Sequence, residues 1–352
     1  MPSAALERLT IPIVLAPMAG GPTTPQLAAA VSNAGGLGFL AAGYLSPERL
    51  AQEIERTRAL TDHFGVGVFA GGGSAAEPEL VEAYAARLHT EAARAGVELG
   101  SPRHDDDSID AKLALLVADP VPVVSFTFGV PSAAAIESLR AAGTEVWLTV
   151  TSPQEAGAAA AAGADALVVQ GVEAGGHRGI FTDDTDASEL TLLAALQLIV
   201  AANIGLPLIG AGSVMTGAGL AAVLAAGAHA AQLGTAYLLA DEAGTSPAQR
   251  TATTTATRTV LTRAFSGRTA RGIENRLHRE HGATAPAAYP EVHHLTSPLR
   301  AQARKTGDAD LINLWAGQAH ELAQALPADE ITRRLAADAR AALAAAAGRV
   351  PG

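Results

Sequence analysis

The sequence predicts an α/β protein, a (β/α)8 TIM barrel followed by an added, mainly helical C-terminal lobe. Three observations carry this expectation. An Ala-rich helix, a glycine stop and a short apolar strand recur as a unit over much of the first two-thirds of the chain. About eight such strands can be counted, the number that closes a barrel. The turn after the first of them, Ala16-Pro17-Met18-Ala19-Gly20-Gly21-Pro22, is bounded by prolines and lacks the GxGxxG pattern of a doubly wound dinucleotide fold.

Taken in order, the candidate strands are residues 13–16, 37–40, 66–69, 121–126, 146–150, 166–169, 207–210 and 228–233. Ser32-Asn33-Ala34-Gly35-Gly36, Ala141-Ala142-Gly143, Ala161-Ala162-Gly163 and Ala225-Ala226-Gly227 each end a helix just before one of them. Glycine there supplies the left-handed backbone that stops a helix. Residues 71–110 are longer than one helix needs and read as a helix plus an exposed loop, with Asp105-Asp106-Asp107 solvated. Residues 1–240 are expected to form the barrel. Residues 241–352, where the strand rhythm stops, are expected to form a helical lobe over its mouth, ending in an Ala/Arg helix at 329–348.

Composition removes several function classes. The 352 residues are 49% apolar, enough for a large core, and the net charge is −11 with no Lys/Arg cluster. Neither nucleic acid nor an anionic membrane is an expected partner. The absence of cysteine excludes disulfides, thiolate metal sites and cysteine nucleophiles. No histidine spacing suits a metal, and the His293-His294 pair reads as surface. The first ten residues carry acid and base without an apolar core, so no signal peptide is read and a cytoplasmic location is expected. The apolar window 190–211 is broken by Gln197, Asn203, Gly205 and Pro207, which suits helix, turn and strand better than a membrane span.

Barrel enzymes work at the C-terminal ends of their strands. After the sixth candidate strand comes Gln170-Gly171-Val172-Glu173-Ala174-Gly175-Gly176-His177-Arg178-Gly179, which places one imidazole in a glycine-rich loop. After the seventh and eighth come Gly210-Ala211-Gly212-Ser213 and Gln232-Leu233-Gly234-Thr235-Ala236, and a helix beginning near Thr216 would aim its positive end at a phosphate. The Gln170 amide suits the edge of a flavin ring, and Ser125-Phe126-Thr127-Phe128-Gly129 would bring hydroxyls and an aromatic wall to the same mouth. Each signal has an ordinary counterpart: a solvated loop histidine, tight βα turns, a barrel-interior glutamine and a half-buried strand.

Pro12-Ile13 through Ala16-Pro17-Met18-Ala19-Gly20-Gly21, residues 27–44, Val124-Ser125-Phe126-Thr127-Phe128-Gly129 and Glu173-Ala174-Gly175-Gly176-His177-Arg178-Gly179 together resemble the nitronate monooxygenases, formerly 2-nitropropane dioxygenases. Phe265-Ser266-Gly267-Arg268, Leu295-Thr296-Ser297-Pro298-Leu299-Arg300 and Leu314-Trp315-Ala316-Gly317-Gln318 extend the likeness over most of the chain, closest to the class acting on propionate 3-nitronate. The resemblance implies an FMN-dependent barrel that oxidises alkyl nitronates with O2 and no nicotinamide, giving a carbonyl product and nitrite or nitrate in a detoxifying role. It implies His177 as the catalytic residue and Met18, Gln170, Gly175, Gly176, Gly212, Ser213, Gln232, Leu233, Gly234 and Thr235 as FMN contacts. It implies Ser125, Tyr237 and Lys305 near the substrate, with no metal. His177, protonated or as a donor, would orient a nitronate, and would act as base toward a neutral nitroalkane. The implied partners are a small nitronate and O2; a homodimer is compatible with the reading.

One departure stands out. Gly67 occupies the place of the family's usual asparagine. A lost amide partner costs about 0.5–1.5 kcal/mol, so weaker FMN binding and an enlarged pocket are expected. Two other readings remain open: an FMN-dependent NAD(P)H enoyl reductase on the same scaffold, and a flavin-binding barrel with a specialised role in a biosynthetic pathway. A phosphosugar-binding barrel fits the turns but explains neither Gln170 nor the motif matches.

Overall fold

The computed structural model describes residues 3–71, 77–183 and 189–349. Its strands in chain order are β1 (Ile13–Leu15), β2 (Gly38–Ala41), β3 (Phe64–Phe69), β4 (Val123–Thr127), β5 (Glu145–Val150), β6 (Ala166–Gln170), β7 (Gly176–His177), β8 (Leu208–Ala211), β9 (Ala230–Leu233), β10 (Thr259–Thr262) and β11 (Ala270–Ile273). Eight of them form one parallel sheet in the order β1-β9-β8-β6-β5-β4-β3-β2. A parallel bridge between Val14 and Leu37 joins the two ends into a barrel. Each predicted barrel strand is present. β4 starts at Val123, later than expected, because Pro120 and Pro122 have no N–H to give a ladder.

Strand alternation divides the core in two. Val124, Phe126, Leu148, Leu167 and Val169 pack outward in the larger cluster shared with the helices, whereas Val14, Phe39, Val123, Trp147, Val168 and Ile209 fill the barrel interior. At the N-terminal end the Glu145 carboxylate accepts from Trp147 Nε1 at 3.0 Å, from Ala5 N at 2.8 Å and from the Ser3 hydroxyl, so the short helix Ala4–Glu7 plugs the barrel floor. Toward the C-terminal end the inward residues turn small or polar: Thr127 and Thr149, whose hydroxyls lie 3.3 Å apart, then Gln170 and Gln232. Bulk below and small polar groups above leave the mouth open for chemistry.

The segment after residue 240 is not purely helical. β10 and β11 pair antiparallel, and β11 also pairs with β7, setting Ala270 opposite His177 and Arg271 opposite Gly176. These strands are four residues long, β10 with two apolar residues between threonines and β11 interrupted by Arg and Gly, so they carry no apolar run to read. The helix Ala328–Ala347 packs on the helices Gly217–Ala225 and Pro25–Asn33, burying Ile331, Leu335, Ala336 and Ala339 in the barrel's outer core.

The aspartate run is not simply solvated. Asp105 and Asp106 are exposed, but Asp107 lies 2.6 Å from the fully buried Lys112 ammonium and accepts from Tyr44 N at 3.0 Å. No helix among the described residues is long and apolar enough to cross a membrane, and the 190–211 window resolves into the helix Leu192–Ala201, a turn and β8. Among the described residues the one grouping of potential metal ligands is Glu91, Glu280 and His281. Glu91 is already bound by Arg276 at 2.6 Å and Arg94 at 2.9 Å, which leaves little charge for a cation.

Candidate active site

Pairing of β7 with β11 holds the glycine-rich loop over the barrel mouth and fixes the backbone of His177. The Gln170 amide secures it from below: Nε2 donates to His177 O at 3.1 Å, while Oε1 accepts from Gly179 N at 2.8 Å and Arg178 Nη1 at 3.1 Å. The imidazole is held by Ser266 Oγ, 2.8 Å from Nε2. Around it stand Trp315, Phe128 and Tyr289, with ring centroids 5.4, 5.7 and 5.9 Å away in edge-on arrangements.

Burial, followed by the nearby Arg268 and Arg300 cations, pushes the His177 pKa down to about 3. The ring is therefore neutral in the free protein at physiological pH, which favours the donor form of the two expected for it. Both arginines stay cationic although burial lowers them to about 10. The Arg268 guanidinium lies 4.0 Å over the Phe128 ring. The mouth therefore combines a neutral imidazole with fixed positive charge, which favours an anionic substrate.

Beside this aromatic wall the backbone is bare. A Cβ on Gly175 would meet Gly317 N at 2.5 Å, and one on Gly317 would meet Ser213 Oγ at 2.6 Å, so the loops at 175, 213 and 317 touch through glycine. Thr235 Oγ1 accepts from Gly317 N at 3.0 Å, and Ser213 Oγ donates to Glu173 O at 2.9 Å and accepts from Ala319 N at 3.3 Å. Gln232 Oε1 is buried without a hydrogen-bond partner. An orphaned amide oxygen beside small-residue loops fits a polar ring-and-phosphate ligand.

Comparison with known proteins decides the family. The family model described as nitronate monooxygenase matches residues 3–338. The chain belongs to the nitronate monooxygenase family. It is an oxidoreductase enzyme of that family. A nitronate monooxygenase of Paraburkholderia phytofirmans is 40% identical over 334 residues, covering 92% of this chain and 91% of the relative. The nitroalkane oxidase of Streptomyces ansochromogenes is 52% identical in the solved structure, with a TM-score of 0.94 over 97% of this chain and 100% of that one. FabK from Thermotoga maritima is more distant, at 26% identity and a TM-score of 0.78, covering 99% of this chain and 100% of that one.

In this nitronate monooxygenase family member, most of the residues singled out in the sequence gather at the mouth. Met18 lies against Gly234, whose Cβ would meet its sulfur at 3.4 Å. Gly212, Ser213, Gln232 and Thr235 border the bare loops, as do Gly175 and Gly176. Leu233 sends its side chain into the outer core, so only its backbone faces the site. Ser125 is buried on β4, near Gly67. Two residues do not join the group. Tyr237 is fully buried, its hydroxyl 2.7 Å from Thr332 of the last helix, and Lys305 is exposed in the last turn of the helix Glu291–Thr306.

Gly67 leaves no gap. A Cβ there would meet Pro17 Cγ at 2.5 Å and Pro17 Cβ at 2.6 Å, so the proline ring takes the space and the expected enlargement does not occur. His293 is not a surface residue either. It is half-buried, stacked on Tyr44 at 4.2 Å, and lines a cavity of about 450 Å³ with Phe69, Phe128 and Tyr289. Ser266, Arg268 and Trp315 were visible in the sequence only within family signatures, and Tyr289 was not singled out at all; nothing in spacing ties residues so far apart to His177.

Proposed function

We propose that the protein is an FMN-dependent enzyme that oxidises small alkyl nitronates, propionate 3-nitronate among them, with O2 and without a nicotinamide reductant, releasing a carbonyl compound and nitrite or nitrate. The observation that carries this reading is the neutral His177, tied through Nε2 to Ser266 and set in an electropositive aromatic mouth beside bare glycine loops.

Gly175, Gly212, Ser213, Gly234 and Thr235 would hold the FMN phosphate through backbone N–H groups and the Thr235 hydroxyl, with Gln232 Oε1 and Met18 toward the ring. Gln170 acts indirectly, because its amide is already engaged by the histidine loop. When bound, FMN supplies the electron transfer between nitronate and dioxygen. The chain's own residues bind, orient and move protons.

With Nε2 tied to Ser266, Nδ1 is the nitrogen left for substrate. When the Ser266 hydroxyl donates to Arg268 O, 3.2 Å away, Nε2–H donates to Ser266 and Nδ1 keeps a lone pair that takes a proton from a nitroalkane, the nitronate formed alongside offsetting the burial that holds the free ring at about 3. When the hydroxyl instead donates to Nε2, Nδ1–H becomes a donor to a nitronate oxygen. A nitronate needs no deprotonation, and the Arg268 and Arg300 charges favour its binding. His177→Asn should therefore suppress nitroalkane turnover far more than nitronate turnover. Equal loss on both substrates would refute this division of labour.

A further inference from the structure

The cavity whose walls include Phe128 and Tyr289, both in ring contact with His177, is also lined by His293 and His294, and the proton position of His293 is dictated by its neighbours. Arg300 is 5% exposed, and its Nη2 lies 3.2 Å from His293 Nδ1 and 2.8 Å from His293 O, while Nε donates to Thr296 Oγ1 at 3.0 Å. A guanidinium has donors only, so Nδ1 must accept and the ring proton must sit on Nε2. The ring plane is fixed as well, stacked on Tyr44 at 4.2 Å with an interplanar angle of 8°. Nε2–H has no acceptor among the described residues, and His293 lines the cavity.

We infer that His293 Nε2–H is a fixed hydrogen-bond donor that recognises an acceptor group, a carboxylate best of all, on the tail of the substrate whose nitronate end lies at His177. This rests on the nitronate reading above and adds the residue that selects among nitronates. Tyr289 connects the two ends: its ring centroid is 5.9 Å from that of His177 and 6.4 Å from that of His293. Its hydroxyl lies 3.5 Å from the Tyr44 hydroxyl, so further hydroxyl donors sit at the His293 end.

Charge supports an anionic tail. Arg300 makes its hydrogen bonds to neutral acceptors, and a buried cation without a carboxylate is costly unless an anion comes to it. The aspartates at the rim do not reverse the sign. Asp105 is paired with Arg103 at 3.3 Å and His294 at 2.7 Å, and Asp107 with Lys112 at 2.6 Å, leaving exposed Asp106 at the outer edge. Burial, then Arg300, holds the His293 pKa down at about 2, so the ring donates without becoming charged.

The test uses the FMN-loaded protein and two nitronates that differ in the tail, propionate 3-nitronate and propyl 1-nitronate. His293→Phe keeps a ring on Tyr44 but removes the donor; His293→Gln keeps a donor on a side chain of similar reach. His293→Phe should raise KM for propionate 3-nitronate about tenfold with kcat within about twofold, leave propyl 1-nitronate nearly unchanged, and be largely rescued by His293→Gln. Calorimetric binding of succinate, an unreactive dicarboxylate, should weaken in parallel. Equal effects on both nitronates, or no effect on propionate 3-nitronate, would overturn the role of His293 while leaving nitronate oxidation intact. A wild-type protein that oxidises neither nitronate would remove the nitronate reading and this inference together.

Discussion

Ser266 Oγ lies 2.8 Å from His177 Nε2, a contact made across the barrel mouth between the glycine-rich loop and the turn that joins β10 to β11. Because the same hydroxyl can donate to Arg268 O, its rotation decides which imidazole nitrogen carries the proton. Ser266 is a positioning residue in this arrangement, and its removal should affect the rate more than binding.

Ser266→Ala is expected to lower kcat about tenfold with KM nearly unchanged, and to lower it more for a neutral nitroalkane than for its nitronate. Steady-state kinetics on the two forms of one nitroalkane check this. A rise in KM alone would show that the serine shapes binding instead.

Acid should destabilise the protein through its buried histidines. His177 is held at about 3 and His293 at about 2, both below the ordinary value near 6.5, and burial also lowers His63 and His278. The folded state therefore binds fewer protons than the unfolded one between these limits. The stability tied to these groups is complete above about pH 6.5 and falls as pH drops toward the folded values. Urea midpoints of the flavin-free protein should decline from pH 7 to pH 5, and less steeply in His293→Phe. A flat profile in that range would show that these rings are not neutral in the fold.

Gly67 should tolerate nothing larger, because Pro17 occupies the space beside it. Gly67→Ala is expected to cost about 1–3 kcal/mol by overpacking. Gly67→Asn, which restores the usual family residue, should weaken FMN retention by displacing the Pro17-Met18 turn. Thermal unfolding and FMN titration followed by fluorescence check both; tighter FMN binding in Gly67→Asn at unchanged stability would contradict this.

The barrel floor offers a contrast. Glu145→Ala strands the Trp147 indole N–H, the Ala5 N–H and the Ser3 hydroxyl. At about 1–3 kcal/mol for each of these three groups left unpaired, a loss of at least about 3 kcal/mol is expected, with kcat unchanged because the site is at the other end of the barrel. Urea unfolding and initial rates below the transition check the two halves of this expectation.

The barrel was legible because its signal is local: each strand follows a helix stop within a few residues, and strand length and burial repeat with the same period. His177 and the glycine loops were legible for a related reason, since strand ends mark where a barrel site must be. What could not be read was contact across the chain. Ser266 meets His177 only through pairing of two short strands without an apolar run. His293 looked like surface because a His-His pair on a polar helix has no pattern of its own. Its burial comes from Tyr44, which lies far away in sequence. Gly67 looked like a gap because a missing side chain says nothing about which neighbour moves in. Tyr237, two residues past a site loop, lies in the 3-10 turn Thr235–Tyr237 and packs in the outer core with its hydroxyl on Thr332, a contact far away in sequence.

The most direct measurement is oxygen uptake by the purified, FMN-supplemented protein on propionate 3-nitronate with no NAD(P)H present, followed together with nitrite release. Rapid uptake that stops on His177→Asn more completely with the parent nitroalkane than with the nitronate is the expected result. No uptake, combined with rapid NAD(P)H oxidation in the presence of an enoyl thioester, would contradict nitronate oxidation and assign the same mouth to reductase chemistry.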